Sequence, residues 1–161
     1  MKPCFYVNNL NKEKFVYRAV ASGLAQTIPC EVLITDALST DNSWNEIQRA
    51  VAEAPRGADH VVRAIQSPAA GANNFRSFSD HWMWALDQTD AEWMLQCSSD
   101  DYSLPDRAKV CMESAAANKC SAIATTMFFE KPGETNRGTC SGFPAESGYV
   151  KAGEGIMRLA Y

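Results

Sequence analysis

No stretch of this chain approaches the roughly 20 consecutive apolar residues that a bilayer span requires, so no membrane helix is expected. The start, MKPCFYVNN, turns polar too early for a secretion signal. Basic residues are few: 15 Lys and Arg against 19 Asp and Glu give a net charge of −4, and no basic block occurs. Nucleic acid and anionic membrane surfaces are therefore not expected as partners. The two histidines, His60 and His81, cannot support a Ser-His-Asp or Cys-His arrangement and read as structural. The six cysteines contain no CxxC and no zinc-ligand spacing. Cys4, Cys30, Cys97 and Cys120 fall at or near strand ends and Cys111 on a helical face, which suits small core residues in a reducing compartment, the cytoplasm. No GxGxxG follows the first apolar run, and GANN at 71–74 does not replace it, which excludes a dinucleotide-binding dehydrogenase.

What is present is an alternation. The chain has 161 residues, 46% of them hydrophobic, enough for one domain over 1–161 and too few for two. CFYVN (4–8) is a strand run, and KEKFVYRAVASGLAQ (12–26) carries Phe15, Val16, Ala19, Val20, Gly23 and Leu24 at helical spacing. EVLITD (31–36) is a second strand, and SWNE (43–46) reads as a capping box opening a helix, with Glu46 reaching back to Ser43. HVVRAI (60–65) is a third strand, followed by a Pro/Gly loop at 67–74 and a helix over 76–88. EWMLQC (92–97) is a fourth strand, Ser103 to Asp106 reads as a helix start, and SAIATTMFF (121–129) is a fifth strand. Strands separated by helices imply parallel pairing, and near-continuous apolar runs imply strands covered on both faces. The expectation is an open α/β sandwich to about residue 130, then a Gly- and Pro-rich loop region around a hairpin. A short strand and a helical turn are expected within 149–161.

In open parallel sheets ligands bind beyond the carboxyl ends of the strands. Those ends carry Asn8 and Asn9, then Asp36, then Ser98 to Asp101 in QCSSDDYSLPDR (96–107), with the 67–74 loop at the same edge. Adjacent carboxylates such as Asp100 and Asp101 suit a hard divalent cation, Mg²⁺ or Mn²⁺, which commonly shares such acids with substrate phosphates and water. The same pair also fits a helix start, where negative charge stabilises by about 0.3–1 kcal/mol. Asp36 likewise fits a polar strand-to-helix turn, and Asn8, Asn9 and Asn11 fit caps for the first helix. A phosphoacceptor receiver domain is disfavoured, because the first strand ends in Asn and Lys131 alone stands after the fifth.

Several of these segments, in order, resemble glycosyltransferase family 2, whose members have the GT-A fold and use nucleotide sugars. The similarity runs from about Cys4 to Glu130 and rests on VNNLNKE, SGLAQT (22–27), DALSTD (36–41) and EWMLQCSSDDYSLPDR (92–107). It implies a GT-A, Rossmann-like α/β/α sandwich with a mainly parallel central sheet. It divides the chain into a nucleotide-sugar-binding core over 1–130 and a short acceptor-side region over 131–161. It implies nucleotide contacts by Asn8, Asp36, Arg76 and Asp100, Asp100 facing the ribose or sugar, and a metal held on the diphosphate by Asp101 with Asp100. Mn²⁺ or Mg²⁺ would be the cofactor.

The implied reaction is inverting transfer from a nucleoside-diphosphate sugar, a UDP-sugar first among candidates, to an unknown acceptor. Three features depart from the family pattern. Ala37 stands where a second acid often reads uracil, SSDD replaces an acid-x-acid-acid motif, and such enzymes usually continue beyond this length to supply the base and acceptor pocket. The catalytic base is unassigned, with Glu146 and Glu154 as candidates. The alternative is a nucleotide-sugar-binding module that turns nothing over or works with a partner chain, with self-association as a further expectation.

Overall fold

The computed structural model describes residues 2–67 and 78–119, together with the backbone of four short strands beyond them. The chain falls into two compact units, Met1–Lys109 and Val110–Tyr161. The first contains β1 (Cys4–Asn9), α1 (Val16–Leu24), β2 (Glu31–Asp36), α2 (Ser43–Glu53), β3 (Val61–Gln66), α3 (Phe78–Leu86), β4 (Met94–Ser98) and the start of α4 (Arg107–Asn118). Its sheet has the order β3-β2-β1-β4 and every pairing is parallel.

The two central strands are sealed on both faces. Phe5, Tyr6 and Val7 of β1 and Val32, Leu33 and Ile34 of β2 are all fully buried. Each such side chain contributes roughly 1.5–3 kcal/mol by leaving water. Successive side chains point to opposite faces of a strand. Helix α1 lies on the face of Phe5 and Val32, so closely that a Cβ on Gly23 would stand 2.7 Å from the Phe5 ring and 3.3 Å from Val32. On the other face Cys4, Tyr6 and Leu33 pack with Ala85 and Trp82 of α3. Tyr6 donates to or accepts from Thr35 Oγ1 at 2.9 Å, and burial pushes its phenol up to about 12. The α/β/α sandwich expected from the alternation is thus present in this unit, with β3 half-exposed at one edge.

Cys4, Cys30, Cys97 and Cys111 are buried. Burial raises Cys4 to about 12 and Cys30 to about 11, which makes them inert packing groups. His60 is structural, as its Nδ1 accepts the Cys30 N–H at 3.2 Å. His81 is buried and stacks on Trp84 with ring centroids 5.6 Å apart.

Several expected boundaries are corrected. Helix α1 begins at Val16 rather than residue 12, because 12–15 form a turn in which the Lys12 carbonyl accepts both Phe15 N–H and Val16 N–H. Ser43 is not a cap but the first residue of α2, and no capping box forms. Its N–H is met by Asp41 Oδ1 at 3.0 Å, while Glu46 pairs with Arg49 at 2.6 Å. Helix α4 begins at Arg107, so Ser103 lies four residues before it and Asp106 immediately precedes it.

In the second unit the described strands are antiparallel. β5 (Phe128–Phe129) pairs with β6 (Gly138–Thr139), and β7 (Tyr149–Ala152) with β8 (Gly155–Arg158). The last part of the expected fifth strand is therefore one arm of an antiparallel pair, and 149–158 holds two short strands where one was expected, while 159–161 lie outside the described residues. The rest of the expected fifth strand, 121–127, lies outside the described residues.

Candidate functional site

The strand order reverses at β1: β2 and β3 lie on one side of it and β4 on the other. A crevice at the carboxyl ends of β1 and β4 follows from that reversal. Register brings Asn8 opposite Ser98 and Asn9 opposite Asp36, and the Ser99 N–H extends the pairing to the Asn8 carbonyl at 3.1 Å. Asn8 is half-buried, and its Oδ1 accepts Gln96 Nε2 at 3.3 Å.

Asp36 is fully buried. Its Oδ1 accepts Asn9 Nδ2 at 2.7 Å and the Ser39 hydroxyl at 2.5 Å. Its Oδ2 accepts the Ser39 N–H at 3.1 Å and Gln66 Nε2 at 3.2 Å. Four donors satisfy the charge, so the carboxylate turns inward and ties the ends of β1, β2 and β3 to the turn that follows it. That turn carries Leu38 at φ 57°, a left-handed conformation uncommon for a residue with a Cβ, and leaves the side chain at the surface.

The β1–α1 and β2–α2 loops are stitched together. The Asn11 N–H donates to Ser39 Oγ at 2.9 Å, and Asn11 Oδ1 accepts the Thr40 N–H at 2.8 Å. The Lys12 N–H donates to the buried Ser43 Oγ at 2.9 Å. Glu13 N–H meets Asp41 Oδ2 at 3.1 Å while Asn42 N–H meets Glu13 Oε2 at 3.0 Å. The asparagines therefore bridge loops instead of capping α1, which begins without a side-chain cap. Asn9 Oδ1 is buried and has no partner among the described residues.

Asp100 lies in the turn that follows β4, where the Asp101 N–H donates to the Ser98 carbonyl at 3.0 Å, and both acids stand six residues or more before α4. No acid occupies the first turn of that helix. The influence of a helix terminus fades within its first turn, so the helix-start reading does not account for the pair. Asp100 pairs with Lys12 Nζ at 2.8 Å, both side chains being nearly half-exposed. The ammonium holds Asp100 below the usual carboxylate range. Desolvation and then the Asp100 charge push Asp101 above it, against the pull of Arg107.

The acidic loop is clasped from behind by the SGLAQT segment. Fully buried Gln26 donates through Nε2 to the Ser22 carbonyl at 3.0 Å and the Leu104 carbonyl at 2.9 Å, and its Oε1 accepts the Ala108 N–H at 2.8 Å. The Ser103 N–H donates to Ser22 Oγ at 3.1 Å. Thr27 donates its N–H to the Pro105 carbonyl at 3.0 Å and its hydroxyl to Asp106 at 2.7 Å. Arg107 Nη1 reaches the Gln96 carbonyl at 2.8 Å and Ser103 Oγ at 2.9 Å. Gln26, Ser22, Lys12, Ser39 and Gln66 are supports that inspection of acids and strand ends alone did not single out. The motif SGLAQT was the available signal for the first two.

Arg76, Glu146 and Glu154 lie outside the described residues. Among the described residues no three His, Cys, Asp or Glu side chains converge on a metal-sized point. Asp100 and Asp101 still fit a divalent cation of the Mg²⁺ or Mn²⁺ kind, which takes hard oxygen donors and draws the rest from phosphate and water. An open depression of about 470 Å³ lies at the opposite end of the sheet, lined by residues that include Glu31, Arg63, Thr89 and Asp90. Of the acids that line it, Glu31 is already engaged by Arg63 and Thr89.

A parallel sheet whose polar strand ends gather at the point of reversal, with an acidic pair clasped beside it, is a GT-A-like α/β domain. The chain belongs to glycosyl transferase family 2, whose family model matches residues 4–156. Among solved structures it is similar to S. aureus TarS, with a TM-score of 0.54 and 21% identity over 78% of this chain and 21% of that one. It is also similar to S. aureus TarS 1-349 in complex with UDP, with a TM-score of 0.53 and 23% identity over 74% of this chain and 33% of that one. At these identities the likeness speaks for the fold, and the chain matches only a fifth to a third of the length of either structure. No curated protein sequence matches this chain. No helix among the described residues is long and apolar enough to cross a membrane.

Proposed function

We propose that this chain binds a nucleoside-diphosphate sugar with a divalent cation at the carboxyl edge between β1 and β4, and transfers the sugar to an acceptor hydroxyl with inversion. The observation that carries the reading is the placement of Asp100 and Asp101: paired acids at the sheet's reversal, outside any helix terminus, in a chain of this family. Asn8 borders the nucleotide, and Asp100 faces its ribose or sugar. Asp101 is the principal metal carboxylate. Asp36 acts by positioning, holding the 37–41 turn that would flank the base, because its own oxygens are occupied by Asn9, Ser39 and Gln66. Arg76 is assigned to base or diphosphate from the family pattern. When bound, the cation would offset the diphosphate charge and favour its departure.

In the transfer, the acceptor oxygen bonds to the anomeric carbon as the bond to the phosphate oxygen breaks. The acceptor proton passes to a base, with Glu146 and Glu154 as candidates, and the nucleoside diphosphate leaves. UDP is the first nucleotide to try, since a similar structure is a UDP complex.

Calorimetric titration of UDP and GDP, with and without Mn²⁺, into wild type and Asp101→Asn tests the donor site. Metal-dependent binding that weakens at least about tenfold in the variant is expected, on the scale of losing a direct support of a bound metal. Absence of binding by either nucleotide to folded wild-type protein would overturn the reading.

A further inference from the structure

The ion pair between Lys12 and Asp100 joins the β1–α1 loop to the acidic loop after β4. We infer that Lys12 is a built-in counter-ion that withholds Asp100 from the metal, leaving Asp101 as the metal carboxylate and keeping the bare acidic pair a poor cation site until the nucleotide arrives. The inference rests on the donor-site reading given under Proposed function.

Three observations support it. The Lys12 ammonium stands 2.8 Å from Asp100 Oδ2, within the distance of a charge-assisted hydrogen bond. Its backbone is fixed at both ends: its N–H is held by fully buried Ser43, and its carbonyl accepts Phe15 N–H and Val16 N–H. The preceding Asn11 adopts φ 52°, and Glu13 after it is locked reciprocally to Asp41 and Asn42. The stem of the lysine is thus anchored by the same stitching that shapes the crevice, and only its side-chain torsions are free. Among the described residues no Lys or Arg forms an ion pair with Asp101, and Arg107, whose charge acts on it from a distance, spends Nη1 on Gln96 and Ser103.

Lys12 beside the two acids leaves a single net negative charge, weakened further by Arg107, to attract a divalent ion. A diphosphate supplies the missing negative charge and oxygen ligands together. Cation and nucleotide are therefore expected to bind as a unit. Lys12 acts here as a positioning residue through Asp100.

The test is Mn²⁺ affinity, read by electron paramagnetic resonance without and with UDP, on wild type, Lys12→Met, Lys12→Arg, Asp100→Asn and the Lys12→Met/Asp100→Asn double variant. Without nucleotide, Lys12→Met should bind Mn²⁺ about three- to tenfold more tightly than wild type, the scale of one partly exposed ionic contact. Lys12→Arg should behave as wild type. The gain from Lys12→Met should shrink below about twofold in the Asp100→Asn background, because the carboxylate it frees is no longer there. Equal affinity of wild type and Lys12→Met, including no detectable binding by either, overturns the inference. UDP–Mn²⁺ binding that depends on Asp101 while Lys12→Met is silent overturns this inference and leaves the donor site standing. No Mn²⁺ binding to wild type even with UDP removes both.

Discussion

Two neighbouring aspartates meet different surroundings, and their chemistry divides accordingly. Asp100 is lowered by Lys12, whereas Asp101 is raised by desolvation and by Asp100. On acidification Asp101 should take its proton first and Asp100 last. Side-chain carboxyl NMR reads this order directly, and the reverse order would contradict the assigned contacts. Removing Lys12 should raise Asp100 and narrow the gap. The two groups have opposite linkage to stability. The contribution of Asp100 is present above the ordinary carboxylate range and is lost as pH falls through its lowered folded value. It is small, because the ion pair is exposed. Asp101 is the reverse: its ionised form is disfavoured by folding, so Asp101→Asn should leave the melting temperature unchanged or slightly raised while donor binding falls. At this scale the sequence displayed the pair but not the difference within it. Lys12 is 88 positions away from Asp100, and only folding brings them together.

At the scale of elements, the strands were legible because β1, β2 and β4 are apolar runs ending in polar residues, and tertiary structure adjusted their bounds by only one or two positions. The helix starts were not. Ser43 and Ser103 have the residue type of a cap, yet each serves another loop: Ser43 accepts from Lys12, and Ser103 joins Ser22 to Arg107. A cap is a local pattern, and a distant donor competes for the same hydroxyl. Gln26 illustrates the converse, a buried polar residue whose three hydrogen bonds fix α1 to the acidic loop and α4. Gln26→Leu keeps volume but strands the Ala108 N–H and the Leu104 carbonyl. Each such orphan costs about 1–3 kcal/mol, so the melting temperature should fall by several degrees. Nucleotide affinity should fall with it, since Asp100 and Asp101 lose their backing. An unchanged melting curve would show that the clasp contributes nothing.

For the whole molecule, the fold class was readable from alternation alone, since strand–helix repeats of this spacing have few solutions. The sheet order and the point of reversal were not, because apolar periodicity does not say which strands are neighbours. Burial predicts a gradient of local stability across that sheet. The amides of β1 and β2, flanked on both sides and sealed on both faces, should exchange slowest with solvent, and those of the half-exposed edge strand β3 fastest. A hydrogen-exchange map read by mass spectrometry checks this, and protection in β3 equal to that in β1 would contradict the sheet order. The clasp has one more consequence, for anyone recombining these chains. Residues 22–27 and 98–108 form a single inheritable cassette although about 70 positions separate them. A library that swaps the acidic loop without its partner helix end will sample mismatched halves, whereas one that exchanges both together keeps the lock and its key.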